Sequence, residues 1–564
     1  MTKHWRRWLS PTLAALALLS GLLLATGSTR VQGAELTELE QAGRRLFLRG
    51  ESPSGARLDA RIGMAGLTLS GAAVACGNCH GEDGRGRAES GVVPPDIRWS
   101  ELVKPYGHHH DSGRRHGPFD EQSLHRAVFE GLDPAGNQLG PAMPRYEMSA
   151  RDFSALVAYL RKLEFQRDPG VGEQVLRIGT LLPAGGRQGE LATELRTLWT
   201  AWFARINERG GIHGRRLELV VEPLPVDVDQ ARAGVRRWLQ GADVLAVLAP
   251  LSSGIETALA DAAQTQRVPV IGPLTLYPED PQASVPQVFH LLPGITELTR
   301  VLLRQAASES RLTGPTLLWY PDTAQGLATA QAVEAQLLRD GAPEPLLRRF
   351  APNGPAAGEL AADAARRGVT AVAVLGPGAD VAGLAQAATP LSWAPRLLVP
   401  GPLATRDLLG LPASWRDHTR LAYALTPGGA QASVVDTVAD LLGRGDAAAL
   451  AGTPNAASSA TAAGGAPGAQ RRTNRSRQDG SPAPAVMTAY AAGLLLVEAL
   501  ERSGNELSRR KLIDTLESVQ GFDTGLMPPL SFNADRRIGS LGAYVFAIAA
   551  DGTGLRPLGG YLTP

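Results

Sequence analysis

The sequence predicts a multidomain protein: a small all-α domain followed by a two-lobed α/β domain with parallel sheets. Three observations carry this expectation. The chain has 564 residues, more than one domain of roughly 100 to 200 residues holds. Between residues 35 and 166, apolar residues recur at helical spacing in three stretches, Leu36 to Leu48, Glu121 to Phe129 and Ala150 to Leu163, set among Gly-, Pro- and His-rich loops. Beyond Val175, short apolar runs alternate with longer amphipathic stretches, the pattern of parallel strands joined by helices.

Composition narrows the function classes. With 56 basic against 55 acidic residues, the chain has no net field to gather nucleic acid, and no nucleic-acid partner is expected. Only two cysteines occur, Cys76 and Cys79, which excludes a disulfide framework and a four-cysteine zinc site.

The N-terminus reads as an export signal over residues 1–34. Lys3, Arg6 and Arg7 precede an apolar stretch from Leu13 to Ala25, and small residues follow at Gly33 and Ala34. Export implies a periplasmic protein; the alternative is an uncleaved anchor, because Leu9 to Gly27 approaches the length of a spanning helix. The helical domain then runs over 35–166. Its last helix opens on Ser149 as N-cap and spaces Phe153, Leu156, Val157, Leu160 and Leu163 along one face. Residues 167–175, with Pro169 and Gly170, form a linker, and 176–564 form the α/β domain.

Strands are expected at Leu176 to Leu182, Leu217 to Val221, Val244 to Leu248, Val268 to Gly272, Thr316 to Tyr320, Ala371 to Leu375 and Arg396 to Val399. A segment of this length exceeds one doubly wound sheet, hence two lobes. Within it, 445–484 is rich in Ala, Gly, Ser, Arg and Pro without aliphatic periodicity, and reads as a disordered insertion.

Chemistry concentrates at Cys76-Gly77-Asn78-Cys79-His80. This is the C-x-x-C-H spacing that attaches one c-type haem, two thiols meeting two vinyl groups while the adjacent histidine offers iron an axial nitrogen. A thioredoxin-like dithiol and a zinc pair are the alternatives. Met143, in the rigid Gly140-Pro141-Ala142-Met143-Pro144-Arg145-Tyr146 loop, is the expected second axial ligand, ahead of Met148 beside the final helix. Six of the ten histidines fall between His80 and His125; they read as a solvated loop, with a zinc or copper site as the alternative.

These residues carry a resemblance. Residues Gly43 to Leu163 resemble a class I cytochrome c domain through Gly43 and Phe47, Cys76 to Gly81, Met143-Pro144-x-Tyr146 and Ala158-Tyr159-Leu160. The resemblance implies single-electron transfer and places Pro94 and Pro95 where family loops line the haem edge.

Residues Leu176 to Pro564 resemble the periplasmic leucine/isoleucine/valine-binding protein family, the type I solute-binding fold. The matching residues are Leu176-Arg177-Ile178-Gly179, Ile206 to Arg215, Pro269 to Pro273 and Tyr490 to Gly493. The resemblance implies closure of two lobes over a small ligand, with Ser252, Ser253 and Thr275 as carboxylate-binding hydroxyls and Asp380 as an ammonium-binding acid. Helix capping is the alternative role for Ser253 and Asp380. Gln325-Gly326 replaces the family's aromatic-Gly pair and Leu276 replaces a common second hydroxyl, which sets the ligand apart from an ordinary amino acid.

No G-x-S-x-G, Walker A or H-E-x-x-H motif occurs, so an electron carrier and ligand-binding protein is expected rather than an enzyme. The leading expectation is a periplasmic cytochrome fused to a small-molecule-binding module, linked to oxidation of a small organic compound. Its redox partners would be a periplasmic dehydrogenase, another cytochrome or a terminal oxidase. The alternative is a solute receptor for ABC-type transport or sensing, with an ABC permease as partner and the haem as redox modulator.

Overall fold

The computed structural model describes residues 36–86, 92–110, 112–278, 285–309, 313–350, 357–425, 432–443, 483–549, 551–552 and 554–564. The expected signal segment, 1–34, lies wholly outside them, and so does all of the expected insertion except Ala483 and Pro484. The chain divides into two compact units, one ending at Arg167 and the next starting at Asp168.

In the first unit, helix α1 (Glu38–Arg49) begins where Thr37 and Glu40 satisfy each other's backbone N–H groups, and ends on Gly50 in the left-handed conformation. A short turn, α2 (Cys76–His80), and α3 (Glu121–Phe129) follow. The last helix, α4 (Ala150–Leu163), starts at Ser149, which forms the same reciprocal cap with Asp152. Helices α1 and α4 cross at Gly43, where an added Cβ would stand 2.0 Å from the Ala155 carbonyl oxygen. Only glycine permits that approach, and it lets Phe47 meet Tyr159 with ring centroids 5.4 Å apart.

The unit is not helical throughout. Strands β1 (Asp59–Ile62) and β2 (Leu67–Ser70) form a hairpin, and β1 pairs on its other edge with β3 (Arg145–Glu147), Ala60 opposite Tyr146. This three-stranded antiparallel sheet binds the chain ahead of Cys76 to the chain just after Met143.

The second unit has two lobes. In the first, β4 (Val175–Pro183), β5 (Arg216–Leu224), β6 (Ala246–Leu248), β7 (Val270–Ile271) and β8 (Val288–Phe289) form a parallel sheet in the order β8-β7-β6-β4-β5. Helix α5 (Glu256–Gln266) follows β6. In the second lobe, a seven-stranded sheet includes β9 (Thr316–Pro321), β10 (Ala371–Val374) and β11 (Arg396–Pro400) in parallel and ends on two antiparallel pairings contributed by residues 419–562. Helix α6 (Val381–Ala388) follows β10, and α7 (Pro484–Ser503) packs its buried Ala489, Leu495 and Leu496 into the first lobe's core with Trp199 and Trp202. Helix α7 is long and apolar enough to span a membrane, and its apolar face is instead spent on this core.

From Asp168 onward the expected linker is bonded into the first lobe. The Asp168 carboxylate accepts the Arg509 N–H at 2.5 Å, Gly170 donates its N–H to Asp243 at 2.6 Å, and the Gly170 carbonyl accepts from Arg177 at 2.8 Å.

Candidate functional site

Cys76, Cys79 and His80 share the single turn α2. That turn lies against α1, with the Cβ position of Gly77 in ordinary contact with Leu48 at 3.4 Å. Both thiols are free; Cys79 is exposed and Cys76 half-buried. Burial pushes the Cys76 thiol up to about 11, opposed by a hydrogen bond with the Tyr146 hydroxyl.

His80 is buried, and its Nδ1 lies 3.0 Å from the Pro95 carbonyl oxygen. A carbonyl only accepts, so Nδ1 carries the proton and Nε2 keeps its lone pair. Burial also holds the imidazole pKa below its usual value, which favours the neutral ring. An oriented neutral imidazole with a free Nε2 is what an axial position on iron requires.

Met143 is half-buried and packs, as Met148 does, against the apolar cluster of Leu102, Leu124, Val128 and Phe153. Two ties fix the Met143 loop. The Gly63 N–H donates to the Pro141 carbonyl at 2.9 Å, and the buried Tyr146 hydroxyl donates to the Val74 carbonyl at 2.8 Å, two residues before Cys76. Two thiols on one turn, a preset imidazole and a thioether against one apolar cluster fit a c-type haem, which would supply reversible one-electron chemistry when bound.

His108, His110 and His116 make a separate cluster on a small hairpin, while His125 stacks on Phe129 in α3. His110 and His116 hydrogen-bond through their Nε2 atoms at 2.9 Å, His116 Nδ1 lies 2.7 Å from the Gly117 carbonyl, and His108 Nε2 lies 2.7 Å from the Glu101 carbonyl. Among the described residues, no group of three or more His, Cys, Asp or Glu side chains is arranged to hold a metal ion.

In the second unit, Ser252 and Ser253 follow β6 at the carboxyl end of the first-lobe sheet, where open α/β sheets bind ligands. The structure ties much of this polar set internally. Ser252 is buried, with its hydroxyl 3.4 Å from the Leu274 carbonyl, while Ser253 is exposed. The Thr275 hydroxyl donates to Glu256 at 2.7 Å and accepts from the Tyr277 N–H at 3.0 Å. Glu256 also accepts the Gly254 N–H at 2.9 Å, and burial raises its carboxyl pKa against these two bonds.

Glu256 was not among the residues expected from sequence. It stands in the first turn of α5, where an acid usually reads as ordinary dipole complementarity.

Tyr277 reaches the other lobe, its hydroxyl 3.2 Å from the Leu375 carbonyl. Asp380 lies on the loop beyond Leu375, is exposed, and caps α6 by accepting the Gly383 N–H at 2.9 Å. No hydrogen bond or ion pair joins Asp380 to Ser252, Ser253 or Thr275.

The lobes are also connected through His290, between β8 and the helix Ile295–Glu309. Its backbone bonds Arg537 and Gly539, each at 2.8 Å, while its buried Nε2 has no partner. Burial drives its pKa down to about 4.

Fold and site together define a small unit whose residues fit a haem, followed by a two-lobed α/β unit. Residues 65–164 match the cytochrome c family, and residues 175–417 match the periplasmic binding protein family. The chain therefore carries a cytochrome c domain and a periplasmic-binding-protein domain.

Solved structures similar to the chain are substrate-binding proteins. A branched-chain amino acid ABC transporter protein from Thermus thermophilus with bound valine is 15% identical, with TM-score 0.52, over 70% of this chain and 98% of that one. A fatty acid ABC transporter substrate-binding protein from Thermomonospora curvata is 17% identical, with TM-score 0.51, over 71% and 95%. A type 1 periplasmic binding protein from Bordetella pertussis Tohama I is 17% identical, with TM-score 0.51, over 68% and 99%. At these identities the likeness establishes the fold. No curated protein matches the chain.

Proposed function

We propose that the protein is an exported, periplasmic electron carrier. Cys76 and Cys79 hold one haem c covalently, His80 and Met143 are its axial ligands, the fused domain binds a small organic molecule, and the electron transfer is linked to a partner dehydrogenase's oxidation of a small organic compound. The observation that carries the reading is the His80 to Pro95 hydrogen bond beside two free thiols on one turn. It gives a neutral imidazole with a defined donor atom where the thiols can anchor a macrocycle.

The residues act by holding rather than by reacting. Pro95 orients His80, Tyr146 ties the Met143 loop to the attachment segment, and the apolar cluster excludes water, which lowers the reorganisation that electron transfer requires. Export through residues 1–34 would bring the chain to the compartment where haem is attached to thiols and where a periplasmic dehydrogenase, another cytochrome or a terminal oxidase could exchange electrons with it.

The test is a spectroelectrochemical titration of the full chain matured in a haem-attaching periplasm. The reading predicts one reversible wave following about 59 mV per tenfold change in the oxidised-to-reduced ratio, as for one electron. A protein that shows no reversible haem couple overturns it.

A further inference from the structure

We infer that Arg145 is the positioning residue that holds the Met143 loop in its ligating conformation, an inference that rests on the assignment of Met143 as the sulfur ligand. Arg145 stands in β3, and its guanidinium turns back over the loop instead of toward solvent. One nitrogen donates to the carbonyl of Met143 itself, and Nη2 donates to the Leu139 carbonyl at 2.9 Å. Leu139 in turn donates its N–H to the Gly131 carbonyl at 2.8 Å, so one side chain fastens the residue that bears the sulfur to the start of the same loop.

The space for this arm is built into the backbone. Gly131 has φ of 74°, and a Cβ there would fall 1.8 Å from Arg145 Nε. Glycine is needed both for the left-handed turn and for the passage of the guanidinium over it.

Arg145 is half-buried, and among the described residues no carboxylate lies within salt-bridge distance of it. A guanidinium in that position is held by the carbonyls it bonds, and a donor fork with no acceptor atoms suits two converging carbonyls better than the point charge of lysine.

The need for a fastening is written in the loop. Gly131, Gly136 and Gly140 fall within the stretch that ends at Met143, and each glycine adds backbone freedom that must be lost to place the sulfur. Hairpin β1–β2 fastens the loop from outside at Pro141, and Arg145 fastens it from within.

Exogenous imidazole, which competes with an axial sulfur and is followed by absorption of the oxidised full-length protein, is the probe. Arg145→Gln should bind imidazole about tenfold more tightly than the parent, since charge-assisted bonds to the loop are lost. Arg145→Lys, which retains one donor centre, should fall between them; it carries the test alone if the glutamine variant does not fold. Met143→Ala, run in parallel, should abolish the sulfur-to-iron absorption band.

Unchanged imidazole affinity in the arginine variants, with or without a lower melting temperature, while Met143→Ala loses the band, overturns the role of Arg145 and leaves the ligand assignment standing. Retention of the band in Met143→Ala overturns the ligand assignment and this inference with it.

Discussion

The two units treat their polar residues in opposite ways. In the cytochrome c domain, the residues with chemistry to offer keep it available: the Pro95 carbonyl takes one nitrogen of His80 and leaves the other, and both thiols are free. In the binding-protein domain, the Thr275 hydroxyl is used by Glu256 and Tyr277, Ser252 turns to a backbone carbonyl, and Asp380 caps a helix. The difference teaches that a site carried on one helical turn can be preset by a single neighbour. In the two-lobed domain the polar groups expected to bind ligand are instead used by a neighbouring carboxylate, a backbone carbonyl and a helix cap.

The largest effect expected to sharpen this contrast concerns His290, where the lobes connect. Its pKa falls from 6.5 to about 4, so between those values the unfolded chain holds a proton that the folded chain refuses. Stability from this group is fully present above pH 6.5 and is lost as pH falls toward 4, by about 3 kcal/mol. Chemical denaturation at pH 7 and pH 4 should show that loss, and His290→Leu should remove it; equal pH dependence in the two proteins would refute the assignment.

Next in size, Met143→Ala should lower the haem potential by on the order of 100 mV, a modest part of the roughly 0.8 V that axial ligands command. Met148→Ala should leave it in place. Redox titration of both variants decides between the two sulfurs.

Gly43→Ala should cost about 2 kcal/mol by forcing α1 away from the Ala155 carbonyl. Denaturation followed through the haem absorption would report it, and a neutral result would mean that the α1–α4 crossing is looser than described.

The smallest effect tests the assembled site. Asp380→Ala should cost about 1 kcal/mol as a lost cap, and Asp380→Asn almost nothing. A ligand found by thermal-shift screening that loses affinity in both variants would assign Asp380 to binding beyond its capping role.

What could be read from sequence follows the same division. The C-x-x-C-H run, the Ser149 cap and the three helices of the first unit are set by contacts within a few residues, and each stands where expected. Pro95, placed near the haem edge only by resemblance, bonds His80. The β1–β2 hairpin was missed, although Asp59 to Ile62 and Leu67 to Ser70 flank a glycine-containing turn, because strands of four residues give too short an alternation to outweigh a loop. Arg145 gave no signal as a single arginine beside Tyr146, and its role needs Gly131 and Leu139 brought to it by the fold. Glu256 and Tyr277 were unreadable for the same reason, since their partners lie 19 and 98 residues away.

The central claim is that Cys76, Cys79 and His80 form a covalent haem site. It is tested most directly by the haem content of the full-length protein after denaturing electrophoresis, with and without Cys76→Ser and Cys79→Ser together. The account predicts that the parent band retains haem, with a mass increased by one haem per chain, and that the double variant loses it. A parent chain that comes through a haem-attaching periplasm without bound haem, or a double variant that still carries it covalently, would contradict the account.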